Sequence, residues 1–226
     1  MPVSDDAEIE ITGFSWVPDF VKGQVRDLRV RWALEEIGLP YRTRLLHAAE
    51  PRSEDYYREQ PFGQVPTYRD GDVHLFESGS ILLYLAEKDE RLLPQDPAAK
   101  ARAITWMFAS LNSVEPAFLN YGLIKLFYAE EEWGKLREPG AREFAQLKLK
   151  RVADWLGESE WLEDRFTVAD LLMASVLRIV EPLGLLDDFP NLRAYIDHAT
   201  ARPAFKAAFE AQLADFTAPA PEGMPA

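Results

Sequence analysis

The amino-acid sequence predicts a small α/β domain followed by an all-helical domain. The hydrophobic pattern changes between a two-residue and a helical period up to residue 92, and no convincing strand follows that point. A charged segment with two prolines, 89–97, lies between the two parts. Hydrophobic residues make up 47% of the 226 residues, which supplies enough apolar surface for a core in each domain.

The α/β domain is predicted from local patterns. Apolar and polar residues alternate over the first strand. Gly38 and Pro40 end the first helix, and Asp70-Gly71 is typical of a two-residue hairpin turn. In chain order, the predicted segments are a strand 8–14, a helix 24–37, a strand 41–46, a polar stretch 47–62 that is an irregular helix or a loop, a hairpin over 65–76 and a helix that opens at Glu77-Ser78. Ser78 is the predicted N-cap of that last helix.

The second domain is predicted to be a helical bundle, because four helical faces with apolar residues three or four apart can be read along it. Low complexity is confined to the segment 218–226, which is predicted to be disordered. The predicted domains are 8–90 and 98–216. The four faces are Ile104, Phe108 and Leu111; Ala145, Leu149, Val152 and Leu156; Leu172, Val176 and Ile179; and Phe205, Phe209 and Leu213.

Charge and residue content exclude several classes of function. The formal net charge of −13, from 38 acidic and 25 basic residues, repels nucleic acid and anionic membrane surfaces. The absence of cysteine excludes disulfides, cysteine-based zinc sites and thiol nucleophiles. The three histidines, His47, His74 and His198, show no ligand spacing, so we expect no metal.

Nothing in the sequence predicts export or a membrane span. The start of the chain carries acidic residues where a secretory signal has a basic end and an apolar stretch. The most apolar window, 168–186, contains three charged residues and a proline, which makes it a poor membrane span. We therefore expect a cytoplasmic protein with no nucleic-acid or membrane partner.

Two local features carry candidate binding chemistry, and each has a simpler interpretation. Val65-Pro66 heads a hairpin strand, where a cis peptide bond would leave the N–H and C=O of Val65 facing outward; a trans proline at the start of an edge strand is commoner. Ser78 opens a helix whose N–H groups suit a carboxylate, and Glu77 beside it could accept an ammonium group. Alternatively, Ser78 caps the helix and Glu77 favours its dipole.

The combination of these features resembles a known family, the cytosolic glutathione transferases. The resemblance spans roughly residues 8 to 210 in the family's order. The runs that carry it are 29–41 (RVRWALEEIGLPY), 62–67 (FGQVPT), 70–71 (DG), 75–85 (LFESGSILLYL) and 166–170 (FTVAD). It implies a thioredoxin-like N-terminal domain that holds glutathione as a cosubstrate, followed by a helical domain. Thr167 and Asp170 resemble a structural capping box.

The resemblance also implies which residues hold glutathione. Val65 would pair through its backbone with the cysteinyl part, with Pro66 in cis. Glu77 and Ser78 would hold the γ-glutamyl amino and carboxylate groups, and Gln64 would reach the glycyl end. Positive potential for the anionic ligand would come from the helix that begins at Ser78 and from three arginines. These are Arg26, Arg29 and Arg52.

Two counts along the chain give different positions for the residue that activates the glutathione thiol. Family enzymes carry a Tyr, Ser or Cys at or just after the end of the first strand, and this group stabilises the thiolate. Counted from the strand, the candidate is Ser15, for which a loop serine bonded to nearby backbone is the alternative. Counted back from the helix, the position falls near Gln24 or Val25, which carry no hydroxyl. The predicted pocket for the second substrate contains Trp16, Trp106, Ser110, Ser113 and Tyr121.

The sequence thus predicts a glutathione transferase that activates the thiol for attack on an apolar electrophile, as in detoxification, or for a glutathione-dependent peroxidase or isomerase reaction. The alternative is a non-catalytic glutathione-binding or interaction module with the same fold. A helical scaffold protein without glutathione affinity is a third possibility. By resemblance, we expect a homodimer.

Overall fold

The computed structural model describes residues 2–222 and divides into two compact units. The first unit comprises the chain up to Leu92 together with the chain from Arg202 onward, and the second comprises Leu93–Ala201. Residues 223–226 of the low-complexity tail lie outside the described residues. Within residues 2–222, every helix is too short or too polar to span a bilayer.

A mixed four-stranded sheet forms the framework of the first unit. Its strands are β1 (Ile9–Trp16), β2 (Tyr41–His47), β3 (Thr67–Asp70) and β4 (Val73–Phe76). They lie in the order β2-β1-β3-β4, with β1 and β2 parallel and the other two pairs antiparallel. The sheet confirms the predicted strands and the hairpin around Asp70-Gly71.

The helices divide between the two units. They are α1 (Asp27–Ile37), α2 (Glu54–Glu59), α3 (Ser78–Ala86), α4 (Pro97–Ala109), α5 (Glu115–Phe127), α6 (Glu132–Leu156), α7 (Val168–Leu177), α8 (Pro190–Thr200) and α9 (Pro203–Asp215). Helices α1–α3 and α9 belong to the first unit, and α4–α8 belong to the second. The predicted α/β plus all-α fold class is confirmed, although α9, which was assigned by sequence to the domain 98–216, packs against α1 and β1 in the first unit.

Helix α2 lies in the stretch 47–62, for which the sequence leaves an irregular helix or a loop open. Its N-cap is Ser53, whose hydroxyl accepts a hydrogen bond from the N–H of Tyr56 at 3.2 Å. Glu54 and Asp55 follow in the first turn, where negative charge favours the helix dipole. This serine followed by two acidic residues is the sequence signal that could have identified α2.

A buried capping box begins helix α7 in the second unit. The Thr167 hydroxyl accepts from the backbone of the first turn, and the Asp170 carboxylate accepts from the Thr167 N–H at 2.9 Å, as the resemblance predicts. Asp170 also accepts from the Leu162 N–H at 2.9 Å and from the Tyr195 hydroxyl at 3.0 Å. Burial raises the pKa of the Asp170 carboxyl despite these donors, which favour its charged form.

The first predicted helical face of the second unit is wrong at Phe108, whose exposed fraction is 59%. The buried positions of α4 are Ala103 and Met107. A π-helical turn over Ser110–Val114 follows α4 and shifts the angular position of later residues, so a constant period cannot describe both sides of it. Ser110 and Val114 are buried in that turn.

A buried network of charged and amide groups joins α1 to α9. Arg31, whose side chain is 1% exposed, donates to Asp27 at 2.7 Å and to Asp215 at 2.5 Å. Burial disfavours the charge of Arg31, but the two carboxylates outweigh this effect and raise its pKa. The Gln212 amide donates to Asp27 at 2.7 Å and to the Val25 carbonyl at 3.1 Å. The network therefore fixes the start of α1 as well as its middle.

We predict that Arg31→Leu lowers the free energy of unfolding by about 3–5 kcal/mol, because it leaves the fully buried Asp27 carboxylate without its cation. Urea unfolding followed by circular dichroism measures this change. The matched control is Arg58→Leu, which removes an exposed pair with Asp55 and should cost less than about 1 kcal/mol. Equal losses in the two variants would contradict a special role for the network.

Candidate functional site

A loop before β3 presents an unpaired backbone edge. The Val65-Pro66 peptide bond is cis, as the resemblance implies. Gln64 is exposed, whereas the side chains of Val65 and Pro66 are buried. Neither the N–H nor the C=O of Val65 takes part in the hydrogen bonds found among the described residues. Both groups are available to a ligand that approaches this edge.

The β3–β4 register brings the two predicted binding elements to the same end of a hairpin. Thr67 pairs with Phe76, so Val65-Pro66 precedes β3 where Glu77-Ser78 follows β4. Residues directly opposite in an antiparallel pair have Cα atoms about 4.5–5.5 Å apart, so the flanking residues are near neighbours. This end of the hairpin is the candidate glutathione site.

An arginine reinforces the positive end of helix α3. The Ser78 hydroxyl accepts a hydrogen bond from Nη1 of Arg29 at 3.2 Å, and both side chains are buried. The guanidinium charge therefore adds to the N-terminal end of the helix dipole, where a carboxylate binds favourably. Arg29, one of the three arginines suggested by sequence, thus contacts this helix end through its side chain.

The prediction that Ser78 is the N-cap of α3 is wrong. Ser78 is the first helical residue, and Glu77 takes the N-cap position with φ 67° and ψ 118°. Positive φ is rare for residues other than glycine and is found mostly at turns and functional sites. The Glu77 carbonyl accepts a hydrogen bond from the Ile81 N–H at 3.0 Å, but its exposed carboxylate makes no capping hydrogen bond. The carboxylate is free to meet a cationic group.

Arg52 stabilises the loops around α2. Its guanidinium donates to the carbonyls of His47, Glu50 and Gly63 at 2.9, 2.7 and 3.2 Å, and lies 5.3 Å from the centre of the Phe14 ring. These contacts give Arg52 a structural role in holding the loops. Arg26, the third predicted cation, is half-buried and directly precedes α1.

Ser15 lies within β1 rather than in the loop after it. The register of the β1–β2 pair shifts between Phe14 and Trp16, so Ser15 is a bulge residue without a partner on β2. Its hydroxyl donates to the Leu46 carbonyl at 3.3 Å, and its own carbonyl accepts from the N–H of Ala218 at 3.0 Å. The second of these bonds orders the first residue of the tail predicted to be disordered.

The side chain of Val65 packs in an apolar cluster. Its buried members are Val17, Val25 and Val65. Val25 thus contributes a methyl surface where one count along the sequence places the thiol-activating residue, and Gln24 beside it donates its backbone N–H to the Val21 carbonyl. The partly buried residues packed against the cluster are Phe14, Val21, Leu46, Ala48 and Phe216.

The predicted pocket residues divide between the units. Trp16 is buried in the first unit, where its ring stacks on His47 with centroids 5.4 Å apart. In the second unit, Tyr121 is buried, and burial raises the pKa of its hydroxyl. Ser113 is exposed. A pocket that contains these side chains stays a prediction.

Two other predicted pocket residues are held by neighbours in the second unit. The indole N–H of Trp106 donates to Glu163 at 3.2 Å, and its ring lies 5.1 Å from that of Trp155. The Ser110 hydroxyl is buried and donates to the Trp106 carbonyl at 2.8 Å. Among the described side chains, no group of three or more His, Cys, Asp or Glu is placed to hold a metal ion.

The sequence did not predict a set of buried hydroxyls beneath the unpaired backbone at Val65-Pro66, which is called the recognition edge below. Thr12 on β1 and Tyr56 on α2 form hydrogen bonds with residues on both sides of Val65-Pro66. Thr12 occupies a polar position of an alternating strand, which predicts exposure, yet it is fully buried. No local signal could identify this contact, because its members are 44 and 55 residues apart.

Comparison with known proteins agrees with this geometry. The chain matches the family model of the glutathione S-transferase N-terminal domain over residues 20–87 and that of the C-terminal domain over residues 139–203. It is 30% identical to a glutathione S-transferase of Hyoscyamus muticus over 179 residues, which cover 73% of this chain and 82% of that protein. It is 31% identical to glutathione S-transferase F6 of Arabidopsis thaliana over 173 residues, 70% of this chain and 81% of that one.

A solved structure supports the same assignment. The crystal structure of a glutathione transferase family member from Pseudomonas fluorescens pf-5, with two glutathione bound, is 26% identical to the chain and superposes with a TM-score of 0.80. The match covers 92% of this chain and 95% of that one. The fold and the site thus define a glutathione-transferase-like protein. The chain belongs to the glutathione S-transferase family.

We predict that Glu77→Gly raises the free energy of unfolding by about 1 kcal/mol while weakening glutathione binding. Glycine relieves the positive φ, and this gain exceeds its larger loss of conformational entropy on folding. Urea unfolding and calorimetric titration measure the two effects. Glu210→Gly, an exposed helical position of α9, is the control and should destabilise the protein by about 1 kcal/mol. Loss of stability in both variants would contradict strain at Glu77.

Proposed function

We propose that this protein binds glutathione at the Val65 edge and the start of α3, and activates its thiol for attack on an apolar electrophile. The contact between Arg29 and Ser78 is the observation that carries the proposal, because it places a buried cation and a hydroxyl at a helix N-terminus. A glutathione-dependent peroxidase or isomerase reaction would use the same activated thiol.

Each part of glutathione has a complementary group at this end of the hairpin. The γ-glutamyl carboxylate suits Ser78, the helix N-terminus and the charge of Arg29, and the γ-glutamyl ammonium suits the exposed Glu77 carboxylate. The N–H and C=O of Val65 suit the backbone of the cysteinyl residue, as in the addition of a strand to a sheet edge. The exposed Gln64 suits the glycyl end.

The names of the relatives support the proposal. The proteins from Hyoscyamus muticus and Arabidopsis thaliana are named glutathione S-transferases, and the Pseudomonas fluorescens structure contains glutathione. By likeness, we extend transferase activity and glutathione binding to this chain. The functional domains 8–90 and 98–216, the homodimer and the cytoplasmic location that the sequence predicts are part of the same proposal. Within the second unit, Trp106, Ser110 and Tyr121 are the proposed contacts of the electrophile.

Ser15 is the proposed activating group. A hydroxyl that donates to the sulfur stabilises the thiolate, which then forms the bond to the electrophile. To do this, the Ser15 hydroxyl must exchange its present acceptor, the Leu46 carbonyl, for the sulfur. The present bond is long, Ser15 is only partly buried, and bulges commonly re-aim a side chain next to an active site.

The hydrogen bond from the Ser15 hydroxyl to the Leu46 carbonyl favours a second candidate function, a glutathione-binding module without turnover. In the present structure, the Ser15 hydroxyl is bonded to Leu46, and the cluster around Val65 consists of apolar side chains. A thiol that docks against such a surface keeps the pKa of a free thiol, about 8.5, or a higher one. The pKa of the bound thiol therefore separates the two candidates.

We predict that Ser78→Ala raises the Kd for glutathione about tenfold, because it removes one hydrogen bond to a charged group. Isothermal titration calorimetry measures the Kd. Ser80→Ala, an exposed position on the same helix, is the matched control and should leave the Kd within about twofold. Equal values for Ser78→Ala and the wild type would contradict the proposed binding site.

We predict that the pKa of the bound glutathione thiol lies below about 8.5 in the wild type and rises by about one unit in Ser15→Ala, with turnover about tenfold lower. Ultraviolet absorbance of the thiolate, titrated with pH, measures the pKa. If glutathione binds with an unperturbed thiol, the protein is a binding module. If Ser15→Ala retains full turnover, another group activates the thiol.

A further inference from the structure

We infer that Tyr56 and Thr12 are positioning residues that aim the N–H of Val65 at the bound ligand. They do so through a directed chain of hydrogen bonds that ends on both peptide groups flanking Val65-Pro66. The inference rests on the proposed function, in which Val65 pairs with the cysteinyl part of glutathione.

The first end of the chain fixes the peptide group before Val65. The Tyr56 hydroxyl donates to the Gln64 carbonyl at 2.6 Å. This carbonyl and the Val65 N–H belong to one planar trans peptide unit, so they point in opposite directions. Because Tyr56 holds the carbonyl inward, the Val65 N–H must point away from α2. The orientation of the Val65 N–H is therefore set by Tyr56, a buried side chain on α2.

The second end fixes the peptide group after Pro66. Thr12 is fully buried on β1, and its hydroxyl oxygen accepts from the Thr67 N–H at 2.7 Å. The Thr67 hydroxyl lies 3.1 Å from the same oxygen. These contacts tie the start of β3 to the centre of the sheet, so the loop is held on both sides.

The donors and acceptors allow one consistent direction for the chain. Tyr56 gives its single proton to the Gln64 carbonyl, so its oxygen can only accept from Thr12, 3.2 Å away. Thr12 therefore donates to Tyr56 and accepts from Thr67. Hydrogen bonds in series polarise one another, so the chain also makes the Val65 N–H a better donor.

The environment of Tyr56 keeps this direction over a wide pH range. Its side chain is 3% exposed, and burial raises the pKa of its hydroxyl, although the hydrogen bond to Thr12 acts in the opposite direction. The phenol therefore stays protonated at neutral pH. A phenolate could not donate to the Gln64 carbonyl.

The test compares four single variants by calorimetric titration with glutathione, well below the lowest melting temperature. Tyr56→Phe and Thr12→Val remove one hydroxyl each and should raise the Kd about tenfold. Thr12→Ser keeps the hydroxyl and should bind within about twofold of the wild type. Tyr57→Phe makes the same change at an exposed neighbour on α2 and should also bind like the wild type.

The double variant Tyr56→Phe/Thr12→Val tests whether the hydroxyls act as one chain. We expect its Kd to equal that of either single variant within about twofold, because each substitution already breaks the chain. If turnover is present, the KM for glutathione rises in the variants and kcat at saturating glutathione stays within about twofold. A merely structural role would lower the melting temperature and leave the Kd unchanged.

Failure of this inference can be told apart from failure of the proposed function. A wild-type protein without measurable glutathione affinity overturns the proposed function. A wild type that binds, with unchanged Kd in Tyr56→Phe, overturns the positioning role alone. Should Thr12→Val fail to fold, the Tyr56→Phe and Tyr57→Phe pair decides the question, because both substitutions keep the ring and its packing.

Discussion

The buried guanidinium of Arg31 is the constraint on which the first unit depends. A charge so far from water is tolerable only with both carboxylates, Asp27 from its own helix and Asp215 from α9, in place. Gly13 on β1 leaves room for this pair, since a Cβ there would lie 3.0 Å from the guanidinium. The pair sets how α1 meets the sheet and α9. Through Gln212 it also fixes Val25, whose side chain supports the recognition edge from within.

In the proposed site, recognition would be divided between the unpaired backbone groups of Val65, the exposed Glu77 carboxylate and buried side chains. Val65 offers its main chain, and Glu77 offers a carboxylate held out by an unusual backbone conformation. The groups that prepare them are buried: Arg29 behind Ser78, and Tyr56 behind Gln64. In a protein of net charge −13, the proposed site would thus meet an anionic tripeptide with a helix N-terminus and a buried guanidinium, whose charge is screened less than that of surface groups.

The sequence predicts the features that depend on residues close together in the chain. The hairpin, the end of α1 at Gly38, the capping box of α7 and the positions of Val65 and Ser78 follow from short patterns. Features that depend on contacts between distant segments could not be predicted from the sequence. The bulge at Ser15 requires the register of a partner strand, and the hydroxyl chain requires β1, α2 and β3 together.

The place of α9 in the first unit has a consequence for synthesis of the chain. The sheet and α1, complete at Phe76, are synthesised about 127 residues before α9 begins at Pro203. At roughly 5–20 residues per second, this is a delay on the order of ten seconds. During that interval the side of Trp32 that meets Phe205 is bare, and the second unit is completed first. The second unit can therefore fold before the first, in which α1 stays partly uncovered until α9 has been synthesised.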